Sequence, residues 1–253
     1  ISFVNNDFRT ITGSGLLWST IAHWQRFDGT NWVAATALPG STRRVWIRGT
    51  MGTVPSTTVR EMTIESGGTL TSSNAMSISD KLIIETGGRF VMNAFLTMDN
   101  DSNGSLFEIE DNATFEYANA NASPALFQGD ENFHPDSNFI INNWDNGIDF
   151  VHPTSSPSRA ITERTYNNPN TGANYTALFG NLYYRDNSGS DARLVTSTGT
   201  PSLNLTHRNL EIQSTLADTD EIRLMGGAQT IGIGGNVIVK DGYFVFGSGS
   251  SSA

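Results

Sequence analysis

Short segments of alternating apolar and polar residues recur along the chain at a spacing of about twenty residues. Met62–Leu70 (MTIESGGTL) returns as Leu82–Phe90 (LIIETGGRF) and again as Phe107–Phe115 (FEIEDNATF). In each copy two apolar residues lie two positions apart, which is the period of a strand with one buried face. A repeat of this length indicates a solenoid, because a single coil cannot bury its apolar side without stacking on a neighbour.

Each repeat also contains a predicted corner. Glycine pairs at 67–68 and 87–88, and the Asn-Ala pair at 112–113, follow the strands. Glycine and, less readily, asparagine accept a positive φ, so the backbone is expected to turn sharply there. The pattern predicts an all-β chain folded as a right-handed parallel β-helix, with strands of neighbouring coils about 4.8 Å apart.

The repeat pattern also predicts the domain organisation. We expect an irregular N-terminal cap over residues 1–44 and a β-helix over 45–253, with an inserted loop region at about 128–176 that is rich in Asn, Asp, Pro and Ser. The tryptophans of the first segment are expected to form the cap's own core; they are Trp18, Trp24 and Trp32. Further coils are predicted at Leu210–Ile212, Glu221–Gly227, Thr230–Gly235 and Asn236–Phe246.

Charge and cysteine content restrict the partners. The formal net charge is −10 and the sequence pI is about 4.7. Nucleic acid and anionic membrane surfaces reward clustered Lys and Arg, so neither is expected as a partner. The chain has no cysteine, which excludes disulfides and thiol chemistry. It has no apolar run long enough to span a bilayer and no signal peptide, so we expect a chain that does not span a membrane and, if exported, is in its mature form.

The N-terminal region resembles a known class of surface protein. Asp7–Ile11, Gly15–Ser19 and Trp24–Trp32 lead through Val45–Ile47 into the repeats. This arrangement is similar to the start of large surface proteins of Bacteroidetes-type bacteria that leave the cell by the type IX secretion route. The resemblance implies a secreted cell-surface protein that meets the secretion machinery during export. Members of this class end in a C-terminal sorting domain; Gly247–Ala253 has no such domain, so we expect a piece of a longer protein.

One motif predicts a metal site. Asp99, Asp101, Asn103 and Gly104, followed by Glu110, satisfy the calcium-loop pattern D-x-[DN]-x-[DN]-G-x5-E. Carboxylate and amide oxygens at alternate positions are the ligands that calcium prefers. The candidate ligands are therefore Asp99, Asp101, Asn103 and Glu110, with an ordinary β-helix corner as the alternative explanation.

A second acidic feature is the glutamate that recurs in the repeats. Glu65, Glu85 and Glu110 occupy one position of successive coils, where their side chains would lie within about 5 Å of one another and repel. Two explanations stay open, namely that the carboxylates point into water or that they share a bound cation. In the second case calcium would stabilise the stack.

Enzymatic motifs are weak. Asp145–Asp149 (DNGID) resembles a block of polygalacturonases whose aspartates act as acid and base on the glycosidic bond, but the other motifs of that family do not follow it. The four histidines have no partner motif; they are His23, His134, His152 and His207. We assign no catalytic residue and expect that the protein is not an enzyme.

The sequence therefore predicts a secreted, cell-surface structural or adhesive β-solenoid that forms a stiff stalk or filament segment. Its expected partners are extracellular or cell-surface molecules, among them glycans and copies of itself. The alternative is a glycan-binding or polysaccharide-degrading β-helix module, because aromatic side chains stack on sugars. The aromatic residues in or beside the insertion are Trp144, Tyr166, Tyr175, Tyr183 and Tyr184.

Overall fold

The chain is all-β over the residues that the structure, a computed structural model, describes. These are residues 2–98, 106–118, 130–142, 148–149, 164–167, 174–177, 179–185, 192–195, 202–214, 221–225, 230–241 and 243–246. They contain strands and one 3₁₀ turn, η1 (Ile21–His23), and no α-helix among the described residues. The chain divides into two compact units, residues 1–117 with 128–132, and residues 118–127 with 133–253.

The first unit contains fourteen strands, the last residue of β14 being assigned to the second unit. They are β1 (Phe8–Thr10), β2 (Leu16–Leu17), β3 (Trp24–Phe27), β4 (Trp32–Ala34), β5 (Arg44–Ile47), β6 (Thr50–Gly52), β7 (Thr57–Ile64), β8 (Thr69–Ser72), β9 (Met76–Ile84), β10 (Arg89–Met92), β11 (Leu96–Met98), β12 (Leu106–Ile109), β13 (Thr114–Tyr117) and β14 (Asp130–Phe133).

The second unit contains the remaining strands. They are β15 (Asn138–Asn142), β16 (Ile148–Asp149), β17 (Arg164–Asn167), β18 (Asn174–Ala177), β19 (Asn181–Arg185), β20 (Ala192–Val195), β21 (Ser202–Thr206), β22 (Leu210–Ser214), β23 (Glu221–Met225), β24 (Thr230–Ile233), β25 (Val237–Val239) and β26 (Tyr243–Phe246).

One parallel sheet of the first unit stacks β5, β7, β9 and β12 in chain order, and a short strand, β11, also pairs with β9. Alternate residues of these strands form two apolar ladders in register. The ladders are Val45, Met62, Leu82 and Phe107, and Ile47, Ile64, Ile84 and Ile109. Every member is at most 1% exposed. The period-two pattern of the sequence therefore places one whole face of each strand in the core.

A second parallel sheet of the first unit runs through β2, β6, β8, β10 and β13. Its inner ladder contains Leu70, Phe90 and Phe115, all fully buried. The Phe115 ring lies 5.5 Å from the Phe90 ring in its own sheet and 5.1 Å from the Phe107 ring in the other sheet. These contacts join the two sheets across a shared aromatic core.

The predicted corners are confirmed. Gly67, Gly87 and Asn112 have φ values of 76°, 78° and 61°. In each corner the residue after the positive-φ position donates its backbone N–H to the carbonyl of the repeated glutamate, at 2.7, 2.7 and 3.0 Å. This is the hydrogen bond and the left-handed third residue of a type II turn. The strands therefore end where the Gly-Gly and Asn-Ala pairs stand.

The N-terminal segment covers the end of the first sheet with antiparallel strands. Strand β1 pairs in parallel with β5 and antiparallel with β3, and β3 pairs antiparallel with β4. Trp18 and Trp24 are buried beneath them, with ring centroids 4.8 Å apart, and the Trp24 indole donates to the Trp18 carbonyl at 2.8 Å. This arrangement agrees with the expected cap core for these two residues. Trp32 is only half-buried and contacts Phe3.

The second unit also contains parallel strands whose inner residues form ladders in register. Strands β15, β19, β22 and β25 pair in parallel, and their inner positions are Phe139, Leu182, Leu210 and Val237, then Ile141, Tyr184, Ile212 and Val239. Strands β16, β20, β23 and β26 form a second parallel sheet, and β21 pairs in parallel with β24. Strands β17 and β18 form an antiparallel pair. Strand β15 lies inside the predicted insertion at about 128–176 and is itself one rung of a sheet.

Candidate functional site

The recurring glutamates lie side by side at the corners of the first unit. Glu65, Glu85 and Glu110 each follow the last inner isoleucine of a strand, and each donates its backbone N–H to the isoleucine carbonyl of the preceding strand in the sheet, at 2.9, 2.9 and 3.0 Å. Successive strands of this sheet are therefore also bonded to one another through the glutamate backbones. This register also brings the three side chains close together, as the sequence predicts.

Each of these carboxylates has a protein partner beside the preceding strand of the sheet. Glu65 Oε2 accepts a hydrogen bond from Arg48 Nε at 3.0 Å. Glu110 Oε2 accepts from the backbone N–H and the hydroxyl of Thr86, at 2.9 and 3.2 Å. Glu85 interacts in the same way with the backbone N–H of Ser66. The side chains of Glu85 and Glu110 thus satisfy corner N–H groups that the strand ladder leaves unbonded, whereas that of Glu65 pairs with an arginine.

The middle glutamate of this row has a raised pKa. Burial raises the pKa of Glu85, and the charges of Glu65 and Glu110 on either side raise it further. The hydrogen bond from Ser66 acts in the opposite direction. Glu85 therefore titrates at a higher pH than an ordinary glutamate, because its charged form is poorly hydrated and has two like-charged neighbours.

The predicted calcium loop is described only in part. Asp99, Asp101 and Asn103 lie outside the described residues, and Glu110 is the one candidate ligand within them. Within the described ranges no three His, Cys, Asp or Glu side chains are grouped so that they could hold a metal ion. The loop remains a prediction, and a calcium ion there would compete with Thr86 for Glu110 Oε2.

An asparagine row crosses the second unit, and sequence reasoning missed it. Asn138, Asn181, Asn209 and Asn236 each precede an inner strand position. Asn181 Nδ2 donates to the Ser137 carbonyl at 3.2 Å, and Asn181 Oδ1 accepts from the backbone N–H and the amide of Asn209 at 3.3 and 3.4 Å. A signal was present in the sequence, since asparagine stands directly before an apolar-x-apolar triplet at all four positions.

A polar network lies on the outer face of the same sheet. Glu211 is 8% exposed and pairs with Lys240 and with Gln213 Nε2, the latter at 2.9 Å. Gln213 Oε1 accepts from Arg185 Nε at 2.5 Å. Burial tends to raise the pKa of Glu211, but the bonds from Lys240 and Gln213 outweigh it and lower the pKa. The carboxylate is therefore held ionised by its own neighbours.

Tyr183 lies beside this network and is half-buried. Its hydroxyl donates to Asn138 Oδ1 at 3.2 Å. Burial raises the pKa of the Tyr183 phenol, and the charge of Glu211 adds to the effect. Tyr184, the other tyrosine of the pair, is 1% exposed and is part of the inner ladder. Only Tyr183 of this pair can therefore meet a ligand.

The cap carries a cluster of aromatic and cationic side chains on its outer side. Phe3 contacts Trp32 and Trp46 edge to face, with centroid distances of 4.9 and 5.1 Å. The Arg9 guanidinium lies 4.4 Å from the Trp32 ring and that of Arg44 lies 5.2 Å from the Trp46 ring. Trp46 is only 4% exposed although it points away from the inner ladder. The cluster is a second small core that fixes the cap to β5.

The remaining sequence candidates are placed as follows. Asp145 and Trp144 lie outside the described residues, and Asp149 is in β16 opposite Val195. Tyr166 and Tyr175 are directly opposite each other in the β17–β18 pair. The Asp145–Asp149 block therefore lies largely outside the described residues.

Comparisons with known proteins identified no relative of this chain. No family model, no curated protein and no solved structure matches the chain. Within the described part of the chain, no helix has the length and apolar character needed to cross a membrane.

Proposed function

We propose that the chain is a right-handed parallel β-helix that serves as a structural or adhesive segment of a secreted cell-surface protein. The observation that supports this proposal is the register of the inner ladders, in which successive parallel strands place apolar side chains directly over one another in each unit. Coils that bond to their neighbours along whole strands resist bending and shear. Such stiffness is the property that a stalk or filament segment needs.

The charged side chains support a structural role because they pair with one another across coils. Arg48 pairs with Glu65, Arg89 Nη2 pairs with Glu116 Oε2 at 2.5 Å, and Lys240 pairs with Glu211. A ligand site would need convergent polar groups that are free to bind. The side chains of these pairs and of the asparagine row instead form hydrogen bonds with the adjoining coils.

The proposed location follows from the resemblance of the N-terminal region to Bacteroidetes-type surface proteins. We propose export by the type IX route, with the secretion machinery as a partner during export and with extracellular molecules or other copies as partners afterwards. The absence of cysteine and the net charge of −10 are compatible with this location.

One observation favours a second candidate function, the binding of an acidic glycan. Tyr183 offers an aromatic ring beside Lys240 and Arg185 on one outer face, where an acidic ligand would have to compete with Glu211 for Lys240 and with Gln213 for Arg185. Aromatic rings stack on sugars, and cationic groups pair with uronate carboxylates. Titration with oligouronates followed by calorimetry tests this function, with Lys240→Ala expected to abolish binding and Arg60→Ala, in the first unit, to leave it unchanged.

The structural function is tested by stretching single tagged molecules between their termini at high dilution. A load-bearing β-helix is expected to yield coil by coil, in steps of roughly 7–9 nm for 20 to 25 residues. Asn181→Ala should lower the force of the steps that come from the second unit and leave those of the first unchanged. Release of each unit in a single event at low force would contradict the proposal.

A further inference from the structure

The outer face of the cap contains a guanidinium that has no carboxylate partner among the described residues, that of Arg9. Arg44 begins β5 and Arg48 follows it, and these two pair with Asp7 and Glu65. Arg9 lies in the neighbouring strand β1, and its one side-chain hydrogen bond goes to a neutral amide. Burial lowers the pKa of Arg9, the charge of Arg48 adds to this effect, and the charge of Glu65 opposes it. The positive charge of Arg9 is therefore only partly compensated.

The Arg9 side chain is held in place by two neighbours. Its Nε donates to Gln25 Oε1 at 2.7 Å, and its guanidinium lies 4.4 Å from the centre of the Trp32 ring. A guanidinium that is fixed at Nε and against a ring keeps both Nη groups for a ligand. These groups form the planar fork that binds an oxyanion through two hydrogen bonds, and little further ordering is needed on binding.

The side chains of Arg9, Gln25, Trp32, Trp46 and Phe3 are called the Arg9 cluster from here on. The hydrogen-bonding atoms that this cluster leaves unused are donors: the Arg9 Nη groups, Gln25 Nε2 and the indole Nε1 of Trp46. Trp46 lies beside Arg9 in the sheet, is only 4% exposed, and its Nε1 has no hydrogen-bond partner among the described residues. Buried donors are normally paired, so the excess of donors indicates a ligand that brings acceptors.

Aromatic rings surround the Arg9 fork and restrict the kind of acceptor that fits. Phe3, Phe27 and Trp32 are half-buried, and the Phe3 ring lies 5.8 Å from that of Phe27 and 4.9 Å from that of Trp32. Such rings pack against the C–H face of a sugar. A half-buried, aromatic site favours an anion that loses little hydration, and a sulfate ester spreads one charge over three oxygens where a carboxylate has two.

The wider charge distribution brings anions to the cap although the whole chain is acidic. Residues 1–60 contain six arginines and two aspartates, whereas residues 61–253 contain nine Lys and Arg against 23 Asp and Glu. The potential near the cap is therefore set by local positive charge, and an anionic ligand is attracted there rather than to the remainder of the chain.

We propose that the Arg9 cluster binds a sulfate monoester of a sulfated glycan. The Arg9 Nη groups and Gln25 Nε2 donate to the sulfate oxygens, and the rings of Phe3 and Trp32 pack against the sugar. The proposal rests on the adhesive function proposed above and names a ligand class for it. This site belongs to the first unit, whereas the Tyr183 face belongs to the second.

The test follows the indole N–H signals of the isotope-labelled full chain by NMR while a methyl galactoside sulfate ester is added. Trp32 and Trp46 report on the Arg9 cluster, and Trp18 and Trp24, which are buried in the inner core of the cap, report that the cap stays folded. Parallel titrations use the neutral methyl galactoside, inorganic sulfate, methyl galacturonate and tetraglutamate. These probes separate the sugar, the free anion, the carboxylate and the acidic peptide from the sulfate ester.

The variants are Arg9→Gln, which removes the fork, and Arg9→Lys, which keeps the charge without it. The matched control is Arg43→Gln, because it removes a positive charge from the same cap segment and lies outside the Arg9 cluster. We expect the ester to shift the Trp32 signal to saturation, Arg9→Gln to weaken binding about tenfold or more, and Arg9→Lys about fivefold. Arg43→Gln should change the affinity by less than about twofold.

The proposal fails if the ester gives no saturable shift of Trp32 or Trp46, or if Arg43→Gln weakens binding as much as Arg9→Gln. Inorganic sulfate that binds as tightly as the ester would overturn the glycan in favour of a free anion. Equal affinity for galacturonate would overturn the preference for sulfate, and tighter binding of tetraglutamate would identify an acidic peptide instead. If Arg9→Gln disturbs the Trp18 and Trp24 signals, the comparison of Arg9→Lys with Arg43→Gln decides. None of these failures affects the stretching experiment, so the structural function is tested separately.

Discussion

Asn112 occupies the corner position that Gly87 occupies one sequence repeat earlier, with a φ of 61° against 78°. The two residues share this left-handed conformation although only one of them has a Cβ atom. An ideal Cβ on Gly87 would approach nothing closer than 3.6 Å, so space is not what requires glycine there. The requirement is conformational, and asparagine satisfies it because its side chain can bond locally.

Substitutions at Gly87 should therefore rank by their tolerance of positive φ. We expect Gly87→Asn to lower the free energy of unfolding by less than about 0.5 kcal/mol, Gly87→Ala by about 1 kcal/mol and Gly87→Val by about 2 kcal/mol. Urea denaturation of the three variants measures the ranking. An asparagine variant as unstable as the valine variant would show that some other property of glycine is needed.

At the second glycine position of each corner, the space available for a Cβ atom restricts the residue type. A Cβ on Gly68 would lie 2.2 Å from the Ile47 carbonyl oxygen, whereas a Cβ on Gly88 would lie 2.8 Å from the Ile64 oxygen. We expect Gly68→Ala to cost about 2–3 kcal/mol and Gly88→Ala about 1 kcal/mol. The third corner has Ala113 at this position, fully buried, so a backbone shift that admits a methyl group exists in the fold. Equal costs for the two glycines in urea denaturation would contradict this account.

Breaking the pair Asp7–Arg44 should cost far more stability than breaking an exposed pair. Asp7 is 2% exposed and accepts from Arg44 through both oxygens, at 2.9 and 2.5 Å. Asp7→Asn would leave the guanidinium without its counter-ion, at an expected cost of about 2–4 kcal/mol. The control is Asp80→Asn, whose partner Arg60 is 41% exposed and whose expected cost is below about 1 kcal/mol. Thermal unfolding at low and high salt checks both variants. The decrease in Tm should depend on salt for Asp80→Asn and not for Asp7→Asn.

The glutamate row should destabilise the first unit as the pH rises. Because the pKa of Glu85 is raised, the folded chain holds this proton more tightly than the unfolded chain does. The contribution to stability is present below the ordinary carboxyl pKa and is lost as the pH rises through the higher folded value. Glu85→Gln should therefore reduce the decrease in stability between about pH 4 and pH 7, by about 0.5 kcal/mol or less because the side chain is half-exposed.

We expect Glu211→Gln to change the pH dependence of stability in the opposite direction. Its pKa is lowered, so its contribution is present above the ordinary carboxyl pKa and is lost as the pH falls through the lower folded value. Calorimetric melting of both variants and the wild type at about pH 7, pH 4 and pH 3 checks the pair, because the contribution of Glu211 is lost below the ordinary carboxyl pKa. If both variants change the pH dependence in the same direction, one of the two assignments is wrong.

Within the asparagine row, substitution of the central Asn181 should cost more stability than substitution of the terminal Asn236. Asn181→Ala removes bonds to the Ser137 carbonyl and to the backbone and amide of Asn209 in a site that is 9% exposed, and we expect a cost of about 2 kcal/mol. Asn236 is exposed and contributes its backbone N–H to Asn209, so Asn236→Ala should cost less than about 0.5 kcal/mol. Urea denaturation compares the two, and equal costs would show that the row does not act through these bonds.

The strands and corners of the first unit follow from the sequence because their signals are local. The apolar-x-apolar pairs and the glycines that follow them lie within nine residues, and the register of Ile84 with Ile109 and of Phe90 with Phe115 is the one that the repeat alignment predicts. Physically, period two fixes the buried face, and a residue that tolerates positive φ fixes the end of the strand.

The outer-face contacts could not be predicted in the same way. Tyr183, Glu211 and Lys240 meet because β19, β22 and β25 stack, and the outer positions of these strands carry a different type of residue in each strand. Strand alternation also fails to predict the burial of Trp46. This side chain points outward, but it is buried against Phe3, which is 43 positions away in the sequence. Such contacts depend on which distant segments become neighbours, and composition carries no information about that.

Residues Val45, Met62, Leu82 and Phe107 keep one register although 17, 20 and 25 positions separate them in turn. The differences in length are absorbed between the strands, where they do not shift any inner side chain. A deletion or insertion in those connections therefore changes the surface and spares the core. Such a chain can diversify in evolution by gain and loss of connecting sequence, with the strand and its corner as the inherited unit.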